Sequence, residues 1–180
     1  MKFEELPIGG AFRITVETIT DERGAFGRRF CADTFRGRGL EADFVQRSIS
    51  FNRKAGTLRG FHFQAAPHLE TRLVRCTRGA VFDVIVDLRD GSPTYGTWHA
   101  EELTEANRGI LYVPKGAAHG FQAIEDDSEV DYEITPAYVP GLERGFRFDD
   151  PALSIPWPVR DIIMSDRDRA LPPTHSGILL

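Results

Sequence analysis

Three side chains of this sequence have the chemistry to move a proton, and they stand far apart in the chain. His62 lies in Thr57–Gln64, which reads TLRGFHFQ. A pocket imidazole titrates near working pH and suits reversible proton abstraction, although the same histidine reads equally well as a satisfied core residue. Tyr132 lies in EVDYEI. It is either a packing residue with a hydrogen-bonded hydroxyl or a general acid that donates from the opposite face of a substrate. Asp168 lies in SDRDR. Most aspartates in such a segment are solvated, but one that folds back onto His62 would fix its tautomer and stabilise the imidazolium. Asp166, in the same short segment, is the alternative partner.

Arginines supply the second kind of chemistry. Arg23 sits in a turn, DERG, where a guanidinium can reach a phosphate, and Arg72 follows in HLETRLVR. Arg59 stands between apolar neighbours, where an unpaired charge is expensive. A pyrophosphate ligand would offset that cost through bidentate contacts. The five histidines are His62, His68, His99, His119 and His175, and none forms an HxH pair. His119 lies in VPKGAAHGF, a PxGxxH arrangement of the kind found in the second motif of cupins. The first cupin metal motif needs HxH followed by a glutamate, and here that region offers only His62 with Gln64 two places on. The expectation is therefore no metal and no cofactor, with His62 and His119 meeting only if folding brings them together.

These groups need elements to hold them. Short apolar segments are punctuated often by Gly, Pro, Asn and Asp, and no long helical period interrupts them, which predicts an all-β sandwich or barrel. Strands are expected over Phe12–Ile19, Phe26–Phe30, Asp43–Phe51, Gly56–Gln64, Arg72–Thr77 and Ala80–Leu88. They continue over Thr97–Leu103, Gly109–Val113, Gly120–Ile124 and Glu129–Ile134. Asp21–Gly24 reads as a turn and Thr34–Gly39 as one helical turn. The tail after Asp150 is irregular, with a short helix near Ser165–Ala170. Side chains alternate across a strand, so Arg59 and His62, three apart, should face opposite sides; if both serve one ligand, the strand must bulge near Gly60.

The chain has 180 residues, which suits one domain over 1–180. Its net charge of -5 argues against a nucleic-acid binder without excluding a local basic pocket. No apolar run is long enough for a membrane helix, and the first twelve residues carry Glu4 and Glu5 and lack an apolar signal core. A cytoplasmic location is the default expectation. Cys31 and Cys76 are expected as free thiols without a role.

TLRGFHFQ, LVRCTRGAVFDVIVDLRDGSPTYGTW, VPKGAAHGF and ERGFRFDDPALSIPWP, in that order, resemble the dTDP-4-dehydrorhamnose 3,5-epimerase family, from about Ile19 to Asp168. The resemblance implies a cupin jelly-roll β-barrel, usually a homodimer that exchanges strands, and metal-free chemistry on a nucleotide-linked 4-keto-6-deoxyhexose. His62 matches the base, Asp168 its acidic partner and Tyr132 the acid. Arg23 and Arg59 match phosphate contacts. Phe26, Gln46 and Tyr138 match positions lining the nucleotide or sugar, and His119 a polar group of the same pocket. The chain departs from the family at three places. Arg72 stands where a lysine usually stabilises the enolate oxygen. Arg28 stands where a glutamate is frequent. Gln46, Arg47 and Ser48 stand where QDN helps read thymine, which opens CDP, GDP and UDP beside dTDP.

The competing readings are a 3,4-ketoisomerase on a similar sugar, a non-catalytic sugar-nucleotide binding cupin and, well behind, a metal-dependent cupin oxygenase prompted by His119.

Overall fold

The computed structural model describes residues 1–174, so His175 lies outside the described residues. In chain order the elements are β1 (Lys2–Glu5), β2 (Phe12–Thr15), β3 (Thr18–Asp21), β4 (Gly24–Gly27), α1 (Ala32–Arg36), β5 (Gln46–Asn52), β6 (Leu58–Gln64) and β7 (Thr71–Arg78). They continue with β8 (Ala80–Asp87), β9 (Trp98–Thr104), β10 (Ile110–Val113), β11 (Ala117–Ala123), β12 (Ser128–Thr135), β13 (Glu143–Gly145) and α2 (Asp166–Arg169). A six-stranded sheet runs β1-β2-β10-β7-β12-β5 and a five-stranded sheet β13-β6-β11-β8-β9. Every pairing in both sheets is antiparallel, and most neighbouring strands are far apart in the sequence.

The two sheets face each other over a core that takes Val74, Leu111 and Val130 from the larger sheet and Val81, Ile85 and Phe121 from the smaller. Each outer face is covered too. The segment around α1 packs Phe35 and its neighbours against Ile14, Leu73, Ile110 and Tyr112. The irregular tail lays Phe146, Leu153 and Trp157 over Phe61, Val84 and Val86. Cover on both faces explains why β8 reads AVFDVIVD, an almost unbroken apolar run rather than an alternating one.

The expected strand over Phe12–Ile19 is two, β2 and β3. The chain leaves the large sheet between them and forms a separate two-stranded hairpin, β3–β4. Ile19 and Phe26 face each other on it, and both are nearly four-fifths exposed. The second strand of the hairpin ends at Gly27 rather than Phe30. β1 and β13 were not expected; each is held by pairing with a stronger neighbour, β2 and β6. Both cysteines are free, and burial pushes the Cys76 thiol up to about 11. Among the described residues no helix is long and apolar enough to cross a membrane.

Candidate active site

The polar residues converge between the sheets. A cavity of about 380 Å³ is lined by Arg59 and His62 of β6, Arg72 of β7, His119 of β11, Tyr132 of β12 and Asp168 of α2. A smaller cavity of about 200 Å³ shares His62 and Arg72 with it and adds Glu70 and Tyr138.

Arg59 and His62 reach one cavity because β6 does not alternate regularly. The pairing of β11 with β6 shifts register between His119 and Phe121. Gly60 sits opposite that shift with φ +125, and a Cβ there would lie 2.6 Å from the Gly120 Cα. Only glycine accepts both the backbone angle and the close approach. Phe61 and Phe63 meanwhile point outward into the tail cluster.

His62 Nε2 lies 2.9 Å from Asp168 Oδ1. Asp168 reaches it from α2, whose first turn is capped by the Ser165 hydroxyl accepting from the Asp168 amide at 3.1 Å. Asp166, on the same helix, is exposed. Burial opposes ionisation of Asp168, but the hydrogen bond and charge of His62 outweigh it and hold the carboxyl below its ordinary range. The carboxylate accepts from Nε2–H, so the imidazole keeps Nδ1 free to take a proton.

Tyr132 stands on the other sheet, and its ring packs edge-on to His119 at 5.8 Å. Burial, with Asp83 nearby, raises its phenol well above the usual value, so it carries its proton at neutral pH. Its cross-strand neighbour on β5 is Ser48, which also lines the cavity. Arg59 donates from Nε to Asn52 Oδ1 at 2.9 Å and from Nη2 to the Phe51 carbonyl at 3.3 Å. Among the described residues it forms no ion pair, so its charge remains available to an anion.

Two residues that sequence reasoning missed hold members of this lining from behind. Asp83, fully buried, accepts from His119 Nε2 at 2.9 Å, and burial raises its carboxyl pKa against the pull of that histidine. A carboxylate inside the apolar run of β8 was the available signal, since a charge there must have a partner. Glu70 pairs with Arg72 through Nε at 2.9 Å and through Nη2.

Four expected residues sit differently. Tyr138 and Gln46 meet each other, the Gln46 side chain accepting from the Tyr138 amide. Tyr138 lines only the smaller cavity. Arg23 and Phe26 line a separate surface hollow on the β3–β4 hairpin, and the Arg23 guanidinium is paired with Asp21. No cluster of three or more His, Cys, Asp or Glu side chains among the described residues is arranged to hold a metal ion.

A two-sheet antiparallel barrel with a polar pocket in its interior is a cupin-type fold. A sequence profile described as dTDP-4-dehydrorhamnose 3,5-epimerase matches residues 5–176, and the chain belongs to that family. It is 42% identical over 179 residues to the dTDP-4-dehydrorhamnose 3,5-epimerase of Methanothermobacter thermautotrophicus, covering 98% of this chain and 96% of that one. It is 40% identical over 172 residues to a dTDP-4-dehydrorhamnose 3-epimerase of Streptomyces niveus, covering 94% and 82%. Among solved structures, the Bacillus anthracis dTDP-4-dehydrorhamnose 3,5-epimerase with TDP and PPi bound superposes with TM-score 0.92 at 38% identity, covering 96% of this chain and 98% of that one.

Proposed function

We propose that the chain inverts C3, C5 or both of a nucleotide-linked 4-keto-6-deoxyhexose by acid–base chemistry without a metal. The observation that carries this is the His62–Asp168 hydrogen bond on one sheet facing Tyr132 on the other, across one cavity. The C4 ketone acidifies the adjacent C–H bonds. His62 Nδ1 removes a proton from one face, and Asp168 stabilises the imidazolium. The electron pair passes to the C4 oxygen, where Arg72 offers N–H donors. The Tyr132 hydroxyl returns a proton to the carbon from the opposite face, the carbonyl reforms, and the centre is inverted. Arg59 takes the pyrophosphate.

Arg23 and Phe26 enter this reading through a second copy of the chain. A homodimer that lays the β3–β4 hairpin of one copy over the cavity of the other brings both to the nucleotide and covers Ile19 and Phe26.

The test uses dTDP-, CDP-, GDP- and UDP-4-keto-6-deoxyglucose with the protein in D2O. Mass spectrometry and proton NMR follow deuterium entering C3 and C5. Exchange with one nucleotide is expected, unchanged by EDTA, and His62→Asn should slow it by about 10²–10⁴-fold. Exchange confined to C3 makes the enzyme a 3-epimerase, as the Streptomyces niveus relative is named. A shifted carbonyl in the product makes it a ketoisomerase. Nucleotide binding with no exchange at all replaces the enzyme by a binding protein.

A further inference from the structure

Arginine in place of lysine at position 72 lengthens the side chain and spreads its charge over a plane, so the group needs holding if it is to present a donor at one point. The structure supplies the holder. Glu70 is 8% exposed, and its carboxyl oxygen Oε1 accepts from both Nε and Nη2 of Arg72. On the other side Arg72 Nη1 lies 3.3 Å from His119 Nδ1. A guanidinium only donates, so that nitrogen must be unprotonated, and the His119 proton is on Nε2, given to Asp83. Three of the five N–H groups are thereby engaged, leaving one on each terminal nitrogen.

We infer that Glu70 is a positioning residue for Arg72: it clamps the guanidinium against the His119–Asp83 pair so that the remaining N–H groups meet the oxygen that becomes negative. Resting on the epimerase reading, this adds that the oxyanion is stabilised by an oriented, half-neutralised donor rather than by a mobile cation. The near-isosteric change Glu70→Gln removes the acceptor charge while keeping the volume.

The experiment compares wild type, Glu70→Gln, Arg72→Met and the double variant. Each is assayed for hydrogen exchange at C3 and C5, and ¹⁵N NMR follows the Arg72 Nε–H resonance, identified by its loss in Arg72→Met. Glu70→Gln is expected to lower kcat roughly tenfold to a hundredfold with KM nearly unchanged, the scale of a misplaced catalytic group. The double variant should be no slower than Arg72→Met alone, because Glu70 acts only through Arg72. The Nε–H signal should persist in wild type and shift or broaden in Glu70→Gln. Additive losses in the double variant, or a loss confined to KM, overturn the inference. So does an Nε–H signal indifferent to residue 70, and this readout decides the clamp even if wild type exchanges no substrate hydrogen, a result that sinks the epimerase reading instead.

Discussion

A histidine serves as a base when one ring nitrogen is occupied and the other is not, and the pairing with Asp168 leaves His62 in that state. Asp168 bears this interaction in the folded chain only. Its carboxyl is harder to protonate folded than unfolded, so its contribution to stability is complete above the unfolded carboxylate pKa, near ~4, and is lost as pH falls through the lower folded value. Denaturant titrations at neutral pH and in acid should therefore show a smaller acid loss for Asp168→Asn than for wild type, together with a large fall in exchange rate at neutral pH. An equal acid loss in both would remove Asp168 as a contributor. Tyr132 predicts a different pattern. With Tyr132→Phe, His62 can still remove a proton and return it to the same face. Deuterium should still enter the substrate, while inversion, followed by proton NMR of the product, falls about 10²–10⁴-fold. If exchange and inversion fall together, Tyr132 acts earlier than proposed.

At the scale of elements, β6 decides whether the site exists. Gly60→Ala places a Cβ 2.6 Å from backbone at Gly120, on a backbone angle that side chains avoid. It should cost about 1–3 kcal/mol of stability and push Arg59 and His62 back toward opposite faces. Thermal unfolding and exchange rate should thus both fall; a variant with wild-type melting and rate would show that the bulge forms without the glycine. The need for this bulge was legible in the sequence, because regular alternation could not bring Arg59 and His62 to one ligand. Most strands were legible too, from short β-branched and aromatic runs between turns. β1 was not, since KFEE is mostly charged and owes its conformation to β2. β13, only three residues, owes its own to β6. The break between β2 and β3 is equally a tertiary effect: Val16 packs against the α1 cluster while the following residues leave the sheet. Of the site, His62, Tyr132 and Asp168 stood out by residue type and motif. Glu70 did not, because a lone carboxylate beside an arginine resembles any surface ion pair until its burial is known.

For the whole molecule, most of the exposed large apolar side chains among the described residues fall on the detached hairpin and on or just before β5, an edge strand of the large sheet. Ile19 and Phe26 are joined there by Val45, Ile49 and Phe51. Sedimentation at micromolar concentration should give a dimer, and Phe26→Asp should shift it toward monomer while raising KM for the nucleotide substrate. A monomeric wild type with full activity would confine the site to one chain. The same view bears on how the molecule comes into being. The imidazole at residue 62 waits for a carboxylate 106 residues further on, carried by a helix that follows the last strand of the smaller sheet. A nascent chain therefore makes every strand of both sheets before the residue that orients this histidine, so the His62–Asp168 pairing can form only after the last strand has been synthesised.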